Sequence, residues 1–406
     1  MNISHPCSEC KVLGRCIKKF CPFDVKNIYI TRTIQKLSDN FNATTPPTVF
    51  VGRFNYPNVN LGIISPIEIE NNAWLYDAPR YWANNNMQID EILKLRSSLV
   101  NSRTIVNVKD TRLNNRFIEA SQEINMAIKP VDIEVTLKER PKYNLKLDSV
   151  LSPIGLGARL KTLRLTENPK IPTQIEKAYY DTDLKAVEGI KELYSKGFDE
   201  SIISRVFSVG NLGVKTERRL VPTKWSITAV DDTIAKNLLN DVKDYKIINN
   251  YLVYFGGYLG NYYLLIFMPE TWSYELFESY IPKDKNISFA TDYESYNGRK
   301  NYAFNTAGGY YACRLPIIEK LKELNSQASI LSLRFITDEY SFPMGVFVCR
   351  EATRKSLKSK SISFSTRKET INYIKDFTFK KFGITIEKIL NESQLLKQTK
   401  LSYFLK

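Results

Sequence analysis

The chain has 406 residues, 43% hydrophobic and 25% charged, a globular composition long enough for roughly two or three domains with full cores. Its 58 Lys and Arg against 43 Asp and Glu leave a net charge of +15, which draws it towards polyanions, nucleic acid foremost among them. A single histidine, His5, excludes a Ser-His-Asp triad, a Cys-His dyad and a multi-histidine catalytic metal site in the main body, so any chemistry falls to carboxylates, Lys, Arg, Tyr or Ser.

Four of the six cysteines, Cys7, Cys10, Cys16 and Cys21, stand within the first 21 residues. So short and polar a segment needs a staple, and tetrahedral thiolate ligation of zinc supplies one; an iron–sulfur cluster or disulfides are the alternatives. A closed four-thiolate site leaves no open position for chemistry, so its expected role is structural, with His5 its neighbour. No apolar stretch at the N-terminus has the character of a signal peptide. The longest apolar run, 251–268, is broken by Gly256, Gly257, Gly260 and Asn261 and reads as a hairpin rather than a membrane span. The expectation is a cytoplasmic protein associated with the nucleoid, without a membrane partner.

Residues 27–47 have polar, helical character, and Pro46-Pro47 is expected to end the helix and lead into a strand at 48–51. In VGRFNYPNVNLG, 51–62, two strands flank a connection that exposes Arg53, Asn55 and Tyr56. Arg and Asn beside an aromatic can hold a phosphate and stack a base, and the turn of a surface hairpin has the same composition. Helical spacing follows at 88–100 and 114–128, then strand alternation at 131–137. Pro141, Pro153, Pro169 and Pro172 bracket what reads as a basic loop with Arg159, Lys161 and Arg164. Asp183 is placed to cap a helix running to Tyr194 and closed by Gly197, and 201–207 reads as another short helix.

The stretch 217–242 concentrates possible chemistry. Arg218, Arg219 and Lys224 are candidate phosphate clamps, Trp225 a base-stacking surface, and Asp231 and Asp232 ligands for a metal or a ribose hydroxyl. Lys224, Asp231 and Asp232 are also the catalytic candidates. The competing reading makes one of the aspartates the N-cap of a helix through Ile234, Leu238 and Val242. Further on, Gly308-Gly309 ahead of a helix through Leu315, Ile318, Leu321 and Leu324 would let backbone amides approach an anion, with Arg299, Lys300 and Arg314 adding charge. A glycine pair is equally an ordinary turn. Strands are expected at 331–336 and 345–349, with Cys313 and Cys349 as small buried hydrophobes. A basic linker at 356–365 and helices at 370–382 and 384–397 complete the body. From Arg350 onward there are 14 Lys and Arg against 5 Asp and Glu. Basic helices there suit duplex phosphates as well as solvent.

The last nine residues, QTKLSYFLK, place Gln398, Leu401, Phe404 and Leu405 in a Q-x-x-h-x-x-a-a pattern that resembles the peptide docking proteins onto the sliding clamp of DNA replication. One helical turn would put Leu401 and Phe404 on one face with Leu405 beside them, and Gln398 would be a polar anchor. Leu405 stands where an aromatic is common. The alternative is the frayed end of the last amphipathic helix.

The four cysteines, VGRFNYPNVNLG, RRLVPTKWSITAVDD, GRKNYAFNTAGGYYACR and the tail together resemble the archaeal Nre family of DNA repair proteins, over essentially the whole chain. The resemblance implies two consecutive Nre regions, interaction with the archaeal clamp PCNA through the C-terminus and a part in DNA damage repair, with DNA and other repair proteins as partners. The expected fold is mixed α/β (α+β): a four-cysteine zinc knuckle at 1–26, an α/β body at 27–275, a second Nre region at 276–396 and a clamp-binding tail at 397–406. Three functional readings stand: a clamp-recruited repair factor, an enzyme on a nucleotide-like substrate that would gather Arg53, Arg218, Asp232 and Arg299 in one pocket, and a non-catalytic DNA-binding adaptor.

Overall fold

The computed structural model describes residues 21–113, 115–139, 141, 153–281 and 287–397. Residues 1–20, with Cys7, Cys10 and Cys16, lie outside these, and so does the tail from 398 on; of the four cysteines only Cys21 is described. The described chain is mixed α and β and divides into two units, one of residues up to 234 with 342–345, the other of 235–341 with the residues from 346 onward.

The first unit carries α1 (Pro22–Lys36), β1 (Asn40–Thr45), β2 (Val49–Val51), β3 (Asn58–Ser65), α2 (Pro79–Asn84), α3 (Ile89–Ser97), β4 (Val100–Asn107), α4 (Arg116–Met126), β5 (Val131–Glu139), β6 (Leu156–Leu165), α5 (Thr173–Tyr180), α6 (Ala186–Ser195), α7 (Glu200–Ser208) and the start of α8 (Thr223–Lys243). Its sheet runs β1-β5-β6-β4-β3-β2, antiparallel except for the parallel pair β4 and β6. Strand β5 shows the expected alternation, with Val131, Ile133, Val135 and Leu137 buried. Helix α4 packs Ile118 and Ile124 into the same core. Its first turn is fixed by Asn115, whose side chain accepts from the amides of Phe117 and Ile118.

Three expectations are corrected here. The stretch 27–47 is not one helix: α1 begins at Pro22, ends at Lys36, and β1 pairs with β5 before Pro46 is reached. The supposed basic loop is strand β6, where Leu156, Ala158 and Leu160 face the core while Arg159 and Lys161 alternate outward; the flanking prolines mark its edges, not its interior. Asp183 does not cap α6. Asp181 instead accepts from the amides of Asp183 and Leu184 in a turn preceding the helix.

Lys26 on α1 is buried at 3% exposure, its ammonium 5.7 Å from the centroid of the Phe342 ring. Burial pulls its pKa down from 10.5 to about 8. Between those two values the unfolded chain holds a proton that the folded chain has lost, so stability rises with pH across that window. Lys26→Met is expected to remove the cost of burying the charge, raising stability at neutral pH by up to about 3 kcal/mol and flattening the slope. Urea denaturation at several pH values checks this, and a wild-type stability that does not vary across the window refutes it.

The second unit continues α8 and adds β7 (Lys246–Ile247), β8 (Tyr251–Tyr258), β9 (Asn261–Met268), β10 (Ser273–Tyr280), β11 (Ser288–Glu294), α9 (Ala307–Glu323), β12 (Ser326–Gln327), β13 (Ser329–Ile336), α10 (Phe347–Lys358), β14 (Ile362–Phe364), α11 (Arg367–Phe382), α12 (Glu387–Glu392) and α13 (Gln394–Lys397). Its main sheet runs β11-β10-β13-β9-β8-β14, with β10 and β13 parallel. The hairpin of 251–268 forms as expected, turning at Leu259 and Gly260, both at positive φ. Strand β9 is buried on both faces, which is why it reads as a continuous apolar run. On one side Leu264, Ile266 and Met268 share a core with Ile374, Ile386, Ile389 and Leu395 of the C-terminal helices. On the other, Tyr263 meets Cys313 of α9.

The strand expected at 345–349 is the start of helix α10, and the linker expected at 356–365 holds the end of that helix and strand β14. Val346-Phe347-Val348 is β-prone locally, but packing decides: a Cβ on Gly256 would lie 2.7 Å from Ser356 Cα, so α10 rests directly on β8 where no side chain intervenes. Helix α11 has the capping box of Thr366 and Glu369 and ends on Gly383 at φ 67.

Candidate nucleic-acid interface

In the first unit the structure joins two of the motif stretches. Strand β2 ends at Val51, whose amide donates to Thr223 Oγ1 at 2.9 Å, across 172 residues of sequence. Thr223 opens α8, and the amides of Trp225 and Ser226 bond back to the Pro222 carbonyl, so the first turn of the helix is set by Pro222. The loop 52–57 is closed by the Gly52 amide on the Asn60 carbonyl (2.7 Å) and the Asn58 amide on the Asn55 carbonyl (2.8 Å), with Asn55 at φ 62, a conformation asparagine tolerates. This places the Tyr56 ring 5.3 Å from that of Trp225, inclined at 50°. Arg53 lies with its guanidinium 4.8 Å from the Phe54 ring. Phe54, Tyr56 and Trp225 are 62%, 43% and 46% exposed. The result is a displayed patch of three aromatic rings with Arg53 and Asn55 on the loop and Lys224 beside Trp225.

The remaining candidates of this unit are placed differently. Arg218 turns inward: Nε donates to the Gly213 carbonyl (2.7 Å) and Nη2 to that of Asp181 (2.9 Å), with the guanidinium 5.3 Å from the Tyr179 ring. Burial lowers its pKa from the usual arginine value, and Tyr179 and Asp181 oppose that shift. Its role is to tie the segment before α8 to the end of α5, while Arg219 next to it is exposed. Asp231 and Asp232 are not helix caps, because α8 begins at Thr223 and both lie in its interior. Asp231 is buried and Asp232 half-buried.

Arg299, Gly308 and Gly309 belong to the second unit. Arg299 donates to the carbonyls of Tyr293 (2.7 Å) and Asn301 (3.3 Å) and to Asp292 Oδ1 (2.8 Å), the last as an ion pair. The glycines form the first turn of α9. A Cβ on Gly309 would meet Glu278 Oε1 at 2.4 Å, so Gly309 makes room for a carboxylate of the protein itself, one held by Arg334 Nη1 at 2.5 Å. Cys313 and Cys349 are buried as expected but are not merely hydrophobic: Cys313 Sγ donates to Tyr263 Oη at 2.9 Å. The Cys313 thiol beside it, aided by the Arg334 cation, pulls Cys349 down to about 7 against its burial.

Two positions the sequence reading passed over matter most to the patch. Thr223 pins the loop, and Phe54 is its most exposed ring; the signals were a hydroxyl just after a proline at a helix start, and an aromatic between Arg53 and Asn55. Among the described residues no group of three or more His, Cys, Asp or Glu is placed to hold a metal ion. Cys21 is half-buried at the N-cap position of α1, and its side chain makes no capping hydrogen bond.

The family models for archaeal Nre proteins match most of this chain, the N-terminal one over residues 15–285 and the C-terminal one over 294–404. The chain belongs to the archaeal Nre family. Among curated proteins, the Nre chain is similar to the DNA repair protein NreA of Archaeoglobus fulgidus, 35% identical over 368 residues, 90% of this chain and 91% of that one. The DNA repair protein NreA of Haloferax volcanii is 34% identical over 351 residues, 84% of this chain and 83% of its own. The DNA repair protein NreB of Archaeoglobus fulgidus is 33% identical over 387 residues, 94% and 95% of the two chains. No solved structure matches the Nre chain at a significant level. No helix among its described residues is long and apolar enough to cross a membrane.

The tail residues Gln398, Leu401, Phe404 and Leu405 of the Nre chain lie outside the described residues, and the chain just before them is described. Glu275 on β10 is fully buried, and its carboxylate accepts from Ser393 Oγ and from the amides of Gln394 (3.0 Å) and Leu395 (3.2 Å) at the start of α13. Burial raises its pKa above the ordinary carboxylate value, while those donors act in the opposite direction. Arg367 Nη2 donates to the Leu396 carbonyl at 2.6 Å. The chain is thus held as far as Leu396, to β10 by Glu275 and to α11 by Arg367.

Proposed function

We propose that this Nre chain is a DNA repair factor delivered to DNA by the PCNA sliding clamp, which captures its residues 398–406. Its curated relatives are named DNA repair proteins and match it over at least 83% of their own lengths. The observation that carries the clamp part is the spacing of Gln398, Leu401, Phe404 and Leu405 at the end of the chain. A segment that folds on binding is best presented from a fixed root, and Glu275 with Arg367 supplies one. DNA is contacted directly as well: the net charge of +15 favours phosphates, and Tyr56 and Trp225 with Arg53 and Lys224 combine stacking surface and cations. Cys7, Cys10, Cys16 and Cys21 form a donor set that suits zinc, with Cys21 left uncommitted by the cap of α1. Bound there, zinc would supply structure to the N-terminal segment.

The test is recruitment to circular DNA loaded with the clamp, comparing the full chain with one ending at Lys397. The full chain is expected to gather on clamp-loaded DNA well above its level on bare DNA, and the truncated chain to show no such excess. Equal enrichment of the two chains would overturn delivery by the tail.

A further inference from the structure

The loop between β11 and α9 carries an arrangement that neither the clamp tail nor the first-unit patch uses. From Ser295 to Ile318 the chain has no acidic residue and contains Arg299, Lys300 and Arg314; Arg299 is paired with Asp292 and the buried Arg314 with Glu294, while Lys300 is exposed. The loop backbone is held at successive points. Arg299 collects the carbonyls of Tyr293 and Asn301, the Ala303 amide donates to Tyr311 Oη at 3.0 Å, and Asn305 Nδ2 donates to the Thr291 carbonyl at 2.8 Å. Thr306 closes it, its amide and hydroxyl both donating to Asp292 Oδ2 at 2.8 and 2.9 Å. Ala303 is fully buried between two aromatic neighbours that are not. Phe304 is 78% exposed and Tyr302 38%, their ring centroids 5.2 Å apart and their planes at 68°. Tyr302 is backed by Tyr311, 5.2 Å away and inclined at 30°. Nearby on the same loop, Tyr296 is exposed with the Lys243 ammonium 4.5 Å from its ring.

A lone exposed phenylalanine is unremarkable on a protein surface. Here the exposed ring stands on a loop that spends an arginine, a buried carboxylate, a tyrosine hydroxyl and an asparagine amide on holding its backbone still. Aromatic faces on a tied-down loop, with the exposed Lys300 on the same loop, Lys243 over Tyr296 and no carboxylate between Ser295 and Ile318, match a flat apolar surface on a polyanion. Unpaired bases have that chemistry, whereas paired bases keep their faces inside the duplex.

We propose that the 299–305 loop is a stacking site for unpaired bases of single-stranded DNA, with Phe304 and Tyr302 taking the base faces and Lys300 the adjoining phosphate. This rests on the reading of the chain as a DNA repair factor and names the form of DNA that its second unit engages. Fluorescence anisotropy of a labelled oligothymidylate with the full chain tests it. Phe304→Ala is expected to weaken binding roughly tenfold without changing the dependence on salt, since no charge is lost, and Phe304→Trp to restore it. Lys300→Ala is expected to lower the salt slope by about 0.7, the value for one contact to a single strand. Phe304 is 78% exposed, so its variants are expected to keep the fold. Unchanged oligothymidylate affinity in Phe304→Ala overturns the proposal and hands the ring to a protein partner; an equal loss on duplex DNA overturns the assignment to single strands. If Phe304→Ala binds like wild type while the tail still directs recruitment, the stacking site alone falls. If the tail proves dispensable while Phe304→Ala still loses single-strand affinity, the clamp reading alone falls.

Discussion

Replacing Leu401 and Phe404 together by alanine is expected to lower affinity for the clamp about a hundredfold, from the micromolar range typical of a short docking peptide to near the limit of detection. Each side chain carries roughly 1.5–3 kcal/mol of apolar burial into a groove, and the two stand three residues apart, where one helical turn presents them together. Gln398→Ala is expected to cost less, about fivefold, because a polar anchor exchanges one hydrogen-bonded state for another. Titration calorimetry with a peptide of residues 397–406 and with the full chain measures both. The peptide and the chain should agree to within a few-fold if the binding determinants lie within residues 397–406. A double variant that binds as tightly as the wild type would sink this account of the tail.

Asp292→Ala is expected to be the most damaging substitution near the 295–306 loop. The carboxylate is 3% exposed, pairs with Arg299 at 2.8 Å and accepts both the amide and the hydroxyl of Thr306. Alanine would leave a partly buried guanidinium and two donors without their acceptor, a loss of about 3 kcal/mol. For a unit of this size that is a fall in melting temperature of roughly 10 °C. Asp292→Asn keeps one acceptor and is expected to cost about half as much. Circular dichroism melts give the stability, and hydrogen exchange across 295–306 reports whether the loop loosens. An alanine variant with wild-type stability and exchange would show that Arg299 and Thr306 do not depend on this carboxylate.

Much of the secondary structure was legible because local patterns carried it. The alternation of 131–137, the helices at 88–100 and 114–128 and the hairpin of 251–268 each follow from one physical period, set by which side of the element meets the core. The misreadings share a cause. KWSITAV is rich in aromatic and β-branched residues, which masks the start of α8 at Thr223 and makes Asp231 and Asp232 look like caps. Val346-Phe347-Val348 reads as strand, but α10 lies on Gly256, where a helix can approach the sheet. In both places packing at long range outweighed local propensity.

The candidate site was legible as residue types and not as partners. Arg53, Asn55, Lys224 and Trp225 belong to two stretches that meet through the hydrogen bond from Val51 to Thr223 and the ring contact of Tyr56 with Trp225, and no spacing rule links positions so far apart. Arg218 and Arg299 have the composition of phosphate ligands, yet both guanidinia are directed at backbone carbonyls, Arg218 within the first unit and Arg299 within the second. Arginine serves either purpose with the same five donors, so only its surroundings distinguish them.

By itself the sequence determined the charge, the lack of a histidine outside the N-terminal segment, the four-cysteine spacing and the tail, since each depends only on which residues are present and how far apart they stand along the chain. The tertiary structure decided that Tyr56 meets Trp225, that Glu278 lies against Gly309, and that Phe304 is displayed while Ala303 beside it is buried. These depend on strand order and helix packing, which bring distant residues together through the burial of both faces of a sheet and leave no trace in local spacing.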